Sequence, residues 1–457
     1  MSFIASHPMD AGRRAGVRRH ALVLAALLGL PGSLQAGADP VQVGDPPARP
    51  PSAQAAAVEL TLDRVVQAAL AHNPSLRTFP IARRAGEARM DRAALDPAYE
   101  VAVEVENFLG TGEARGLQGM DATFSLSRVL EFGGKREARV SAAGAELDAL
   151  VVDRQAAELD VLTDVTRRFI DVAEAQARVD LAKAAERLAS STVSASRRRV
   201  EAGKAPHAEL DRSEIALQRA RLDSARADRQ LTTAQRQLAA SWGEREPVLD
   251  GLPMGRVRAD LYAMPPLQDF ETLRRAWAST PDALRFASAA RVREAELRLA
   301  ATQRRPDLAF SVGVRRLEAT NDAALVASVS MPLGASARAR SQVAEAQANR
   351  DRVDVEREVA EVQAMAALQA LHGELAQTMA EVTALRDIVL PRTGEALSET
   401  EYAYQRGRYS YLELVDAQRE FLATRATLIE ESAHVHRLRA EIERLTRAPI
   451  DAAQETP

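Results

Sequence analysis

Over most of this chain the apolar positions recur at alternating steps of three and four residues, the spacing of a helix seam that packs against another helix. The clearest run is Leu414, Ala417, Phe421, Thr424, Leu428, Glu431, Val435, Leu438, Ile442 and Leu445. Shifting back by 204 residues gives Leu210, Ser213, Leu217, Ala220, Ser224, Ala227, Leu231, Ala234 and Leu238, a second seam in the same phase. A glycine precedes each seam at that same offset, Gly203 in RRRVEAGKAPHAELDRSE (197–214) and Gly407 in YAYQRGRYSYLELVDAQ (402–418). The helices leading to these glycines carry seams of their own, Leu162 to Val179 and Leu368 to Val389. The pattern predicts one unit used twice: a long helix, a glycine turn and a returning helix.

Two stretches in each half change to a period of two. Tyr99, Val101, Val103 and Val105 alternate with Glu100, Ala102, Glu104 and Glu106. After a glycine-rich loop, Ala122, Phe124 and Leu126 alternate with Thr123, Ser125 and Ser127, which predicts a strand hairpin over 98–108 and 120–130. The second half repeats this over 307–316 and 323–332, with Leu308, Phe310, Val312 and Val314 on one face. Four strands of about 9–11 residues have the length that crosses an outer membrane, but a lipid-embedded sheet must close and four strands are too few. The strands therefore predict a barrel shared between several chains.

These elements divide the chain. Residues 1–38 read as a secretory signal peptide, with the basic RRAGVRR, the short apolar ALVLAALLGL and Ala36-Gly37-Ala38 as cleavage site. Residues 39–60 read as a disordered Pro/Ala-rich segment, 61–242 as the first repeat, 243–269 as a Gly/Pro-rich linker, 270–447 as the second repeat and 448–457 as a tail. Pro80 and Pro391 are expected to kink the helices that contain them.

Composition removes several functions. The chain has no cysteine, which excludes disulfides, thiolate metal sites, a thiol nucleophile and a lipid-anchored N-terminal cysteine. Its net charge of −4 gives no electrostatic footprint for nucleic acid. Neither a nucleophile–base arrangement nor a phosphate loop is present, so no enzyme activity and no cofactor are expected. His434 and His436 are two apart on a helix and point to different faces, so they predict no metal site.

The duplicated plan, the Asn73-Pro74 turn, LEFGGKR (130–136) after the second strand and YQRGRYSYLELVDAQ (404–418) together resemble the TolC-like outer-membrane efflux family. Within it, LEFGGKR and the missing anchor cysteine look like the outer-membrane components of cobalt-zinc-cadmium efflux systems. The resemblance implies a mainly helical chain that forms a trimeric α-barrel, with four strands per chain in a shared 12-stranded transmembrane β-barrel. It implies a homotrimer docked to a periplasmic adaptor and an inner-membrane pump, with its long helices reaching into the periplasm. It also implies site residues. Tyr404, Glu209, Glu413 and Asp416 match the family's closed periplasmic gate, while Tyr409 stands where the family places an arginine. Gly203, Gly407, Arg408, Tyr409 and Ser410 match the adaptor-docking tip. Glu100, Glu104 and Glu106 would face the lumen if the valines face lipid. Ordinary solvated acids are the competing reading for all six carboxylates. Drug efflux or type I protein secretion through the same tunnel, or a periplasmic coiled-coil adaptor protein, remain as alternative functions.

Overall fold

The computed structural model describes residues 58–449; the expected signal peptide, most of the Pro/Ala-rich segment and most of the tail lie outside them. The chain opens with β1 (Val58–Leu60), α1 (Leu62–His72) and α2 (Thr78–Ala93), followed by the hairpin β2 (Glu100–Glu106) and β3 (Asp121–Leu130). The long helix α3 (Lys135–Glu201) then runs to the first glycine turn and α4 (His207–Ala239) returns. Two short strands, β4 (Val248–Leu249) and β5 (Leu252–Val257), occupy the link. The second half repeats the order with α5 (Phe270–Ala276), α6 (Pro281–Thr302), β6 (Leu308–Leu317), β7 (Asp322–Ser330), α7 (Ala335–Ala384), α8 (Leu390–Gln405) and α9 (Tyr411–Thr446).

At 67 residues, α3 is about 100 Å long. It has no internal proline, and its seam residues Val165, Phe169, Val172, Gln176 and Val179 are buried. Along its length α3 packs against α2, α4, α6 and α9. The end of α1 meets the turn that follows α4, where Asn73 Nδ2 donates to the Ser241 carbonyl at 2.8 Å. Two shorter helices thus run beside one long one, in line with the predicted duplication.

Both glycine turns close identically. Gly203 (φ +68°) and Gly407 (φ +75°) take the left-handed conformation that side chains disfavour. Gly203 N donates to Val200 O and Lys204 N to Arg199 O; Gly407 N donates to Tyr404 O and Arg408 N to Ala403 O. This paired pattern satisfies the last carbonyls of α3 and α8.

Three expectations require correction. The segment read as disordered to residue 60 ends in β1, which pairs in parallel with β5 through Val58↔Met254. The segment read as a linker holds β4 and β5, so a second sheet of order β1-β5-β4 caps an apolar core with Val65, Phe169, Leu238, Trp242 and Leu261. These strands are too short to show alternation, and β1 finds its partner far along the chain. Pro80 falls in the first turn of α2, where no intrahelical hydrogen bond is lost. Near Pro391 the irregularity takes the form of a π turn at Leu385–Val389, with the proline in the first turn of α8.

Candidate functional site at the helix tip and the sheet

The residues beside the two glycine turns lock together. Tyr404, on the last turn of α8, is 1% exposed. Its hydroxyl donates to Glu209 Oε1 of α4 at 2.6 Å. Because that uses its only proton, the buried Ser196 of α3 must donate to it, at 2.8 Å. Arg199, also on α3, donates from Nη1 to the Tyr404 carbonyl at 2.6 Å. Its guanidinium lies 4.5 Å from the Tyr404 ring centroid and its Nε lies 3.4 Å from Glu209 Oε1. Burial, reinforced by the Glu209 carboxylate, pushes the Tyr404 pKa up to about 12. Ala195, Leu397, Tyr411 and Leu414 enclose the cluster in apolar surface.

The other expected gate acids have different surroundings. Glu413 closes a capping box at the start of α9, accepting from Ser410 N at 2.7 Å while Ser410 Oγ accepts from Glu413 N. The Ser410 backbone hydrogen bond holds the Glu413 carboxyl below its ordinary pKa. Asp416 is 82% exposed at its side chain, with Arg419 at 4.0 Å. The structure thus joins Tyr404 to Glu209 and separates both from Glu413 and Asp416. Glu209 and Glu413 are repeat equivalents with unlike partners because Pro206 stands where Ser410 would cap. Gly203, Gly407, Arg408, Tyr409 and Ser410 all lie on the turns, with Tyr409 exposed. Arg199 was not singled out by sequence reasoning; the run RRR at 197–199, four residues before the turn glycine, was its only signal.

The second feature is the sheet of order β2-β3-β6-β7. Register places Val103, Phe124, Val314 and Leu325 in one row, and Val101, Leu126, Val312 and Ala327 in the next, so these side chains share a face. That face is exposed, Leu325 most of all. The opposite face carries Glu100, Glu104, Glu106, Thr123, Ser125, Ser311 and Arg315. Arg315 bridges to Glu106 at 3.1 Å and donates to Thr123 Oγ1 at 2.9 Å. Gly313 is required here, because a Cβ would stand 2.5 Å from the Phe124 carbonyl. The outer edges of β2 and β7 have no strand partner among the described residues.

Elsewhere, His434 pairs with Glu374 at 2.8 Å while His436 faces the Leu261 carbonyl at 3.1 Å. No helix among the described residues is long and apolar enough to cross a membrane.

Duplicated helical hairpins that carry a four-stranded sheet with an exposed apolar face and two open edges define the architecture of a TolC-like outer-membrane efflux channel. Residues 53–244 match the outer membrane efflux protein family. The cobalt-zinc-cadmium resistance protein CzcC of Cupriavidus metallidurans is 26% identical over 326 residues, 71% of this chain and 76% of CzcC. A membrane protein from Pseudomonas aeruginosa shares the fold with a TM-score of 0.68 at 19% identity, over 85% of this chain and 91% of its own. The transmembrane channel CusC shares it at 0.68 and 16% identity, over 86% and 93%. The protein is an outer-membrane efflux channel.

Proposed function

We propose that this channel exports heavy-metal cations as the outer-membrane tunnel of a tripartite pump. Three copies supply four strands each to one 12-stranded barrel, and their helices form a coaxial α-barrel in the periplasm. A periplasmic adaptor docks at the tip around Gly203, Gly407, Arg408, Tyr409 and Ser410, and an inner-membrane pump supplies the driving force. The observation that carries this reading is the four-stranded sheet, apolar on one face and polar on the other, with both edges open. Such a sheet is stable in lipid only when neighbouring copies complete it. The relation to CzcC supports the choice of cargo.

In this reading Val101, Val103, Phe124 and Val312 face lipid and Glu100, Glu104 and Glu106 face the lumen. Arg315 neutralises Glu106, leaving Glu100 and Glu104 to form rings of carboxylates, which favour cations. Tyr404, Glu209 and Arg199 hold each protomer's helix ends together in the closed tip, and Asp416 offers the open carboxylate beside it. The test has two parts. Outer-membrane fractions should contain a trimer that resists heat in detergent, and loss of the gene should lower tolerance to cobalt, zinc or cadmium. A monomer in that fraction would overturn the shared barrel, and lost tolerance to drugs with unchanged metal tolerance would overturn the cargo.

A further inference from the structure

The two ends of the sheet differ in charge. The helix-side rim comprises residues 94–99, 128–140, 303–308 and 330–340, and it holds eight basic and four acidic side chains. The far rim, 106–121 and 315–322, holds three basic and five acidic ones. The acids of the helix-side rim are largely spent on fixing the junction. Asp307 pairs with the buried Lys135 at 2.7 Å, Glu131 pairs with Arg139 at 2.5 Å, and Asp96 pairs with Arg128 at 3.1 Å. Arg304, Arg305, Arg338 and Arg340 are exposed and have no acidic partner among the described residues.

The level of these four arginines is set by the sheet. The apolar face ends at Arg128, Tyr99 and Val329, where the Arg128 guanidinium lies 4.7 Å from the Tyr99 ring centroid. An aromatic beside a basic residue at the end of an apolar band marks a bilayer–water interface. Arg304 and Arg305 lie four and three residues before the start of β6. Arg338 and Arg340 lie in the first two turns of α7, so about 5–8 Å from its start. A headgroup layer is about 5–7 Å deep on each side of the hydrocarbon. The four arginines therefore lie on the helix side of the sheet, beyond the end of its apolar face.

We propose that Arg304, Arg305, Arg338 and Arg340 form a belt that binds the phosphate groups of anionic phospholipids in the periplasmic leaflet. The proposal rests on reading the sheet as the membrane-spanning part. Guanidinium forks match phosphate oxygens, and each basic residue near a charged lipid surface contributes about a five-fold preference. The belt holds the barrel–tube junction at a fixed depth, while the acidic far rim gives no such attraction.

The experiment uses the full-length protein in nanodiscs of phosphatidylcholine containing a minority of phosphatidylglycerol, followed by native mass spectrometry of the lipids it retains. The wild type should retain phosphatidylglycerol at least about five-fold above its bulk ratio. Arg304→Gln/Arg305→Gln/Arg338→Gln/Arg340→Gln should insert equally well and retain lipids at the bulk ratio. If that variant does not fold, the two double variants, Arg304→Gln/Arg305→Gln and Arg338→Gln/Arg340→Gln, should each lose part of the enrichment. Salt near 1 M, where screening acts within about 3 Å, should abolish it in the wild type. Bulk-ratio retention by the wild type, unchanged enrichment in the variants, or persistence at high salt would each overturn the proposal. Displacement by free inorganic phosphate would also overturn it, since the site would then read phosphate and not lipid. Failure to insert into either lipid would instead sink the membrane-spanning reading on which the proposal stands.

Discussion

The Tyr404 hydroxyl lies 2.6 Å from Glu209 Oε1, and the two residues come from opposite halves of the duplicated chain. One hydrogen bond to a carboxylate therefore ties the end of α8 to the start of α4. Such charge-assisted bonds are worth about 1.5–3 kcal/mol when one partner is removed. Tyr404→Phe and Glu209→Gln should each raise the open probability of the purified channel in planar bilayers. The double variant should fall short of the sum, because both changes remove the same contact. Additive effects would show that the two residues act separately.

Alkaline pH should loosen the same contact. The folded pKa of Tyr404, about 12, lies above the ordinary value of 10, so the folded tip favours the protonated phenol. That stabilisation is complete below pH 10 and is lost as pH rises toward 12. Conductance in bilayers should increase across this window in the wild type and stay level in Tyr404→Phe.

Arg199 should behave as part of this lock. It stacks on the Tyr404 ring, holds the Tyr404 carbonyl and balances Glu209. Arg199→Ala should raise open probability about as much as Glu209→Gln. Arg199→Lys should recover little, since an ammonium cannot stack and fork in one geometry. Full recovery by lysine would reduce the role of Arg199 to its charge.

Glu413 and Asp416 should separate in their effects. Glu413 closes the α9 capping box, so Glu413→Ala should lower the melting temperature and leave ion selectivity nearly unchanged. Asp416 is open to solvent, so Asp416→Ala should lower cation selectivity and weaken block by divalent ions without a change in melting temperature. Single-channel recordings with unchanged selectivity would place Asp416 on the outside of the tube.

The two faces of the sheet give a contrast in one element. Val103→Arg and Val312→Arg lie on the apolar face and should each cost about 2–4 kcal/mol at the bilayer midplane. Ser125→Arg and Ser311→Arg lie on the other face and should assemble normally. The yield of heat-resistant trimer measures both, and equal yields would contradict the assigned faces.

Much of the architecture was legible in the chain because it is written in local periods. The seams around Leu217, Val165 and Leu438 and the turn glycines Gly203 and Gly407 give helix, turn and duplication within a few residues of one another. The alternation of Val101, Val103 and Val105 with Glu100, Glu104 and Glu106 gives the two strand faces in the same way. LEFGGKR could be singled out but not explained. In the fold Lys135 is 5% exposed against Asp307, and Arg136 and Arg139 donate to the carbonyls of Ala94 and Ala93 at the end of α2. These partners are set by how the strands and helices join, which no local spacing records.

The sequence by itself determined the repeated hairpins, the four membrane-length strands, the positions of the turns and the resemblance to the outer-membrane efflux family. Only the tertiary structure decided which residue each acid meets: Glu209 with Tyr404 and Arg199, Glu413 with its own helix start, and Asp416 with solvent. It alone placed β1 beside β5 and left Arg304, Arg305, Arg338 and Arg340 without acidic partners among the described residues. The physical reason is range. Helix seams and strand faces follow from steps of two to four residues along one element. A contact such as Ser196–Tyr404, 208 residues apart, exists only after two long helices have come together in one register.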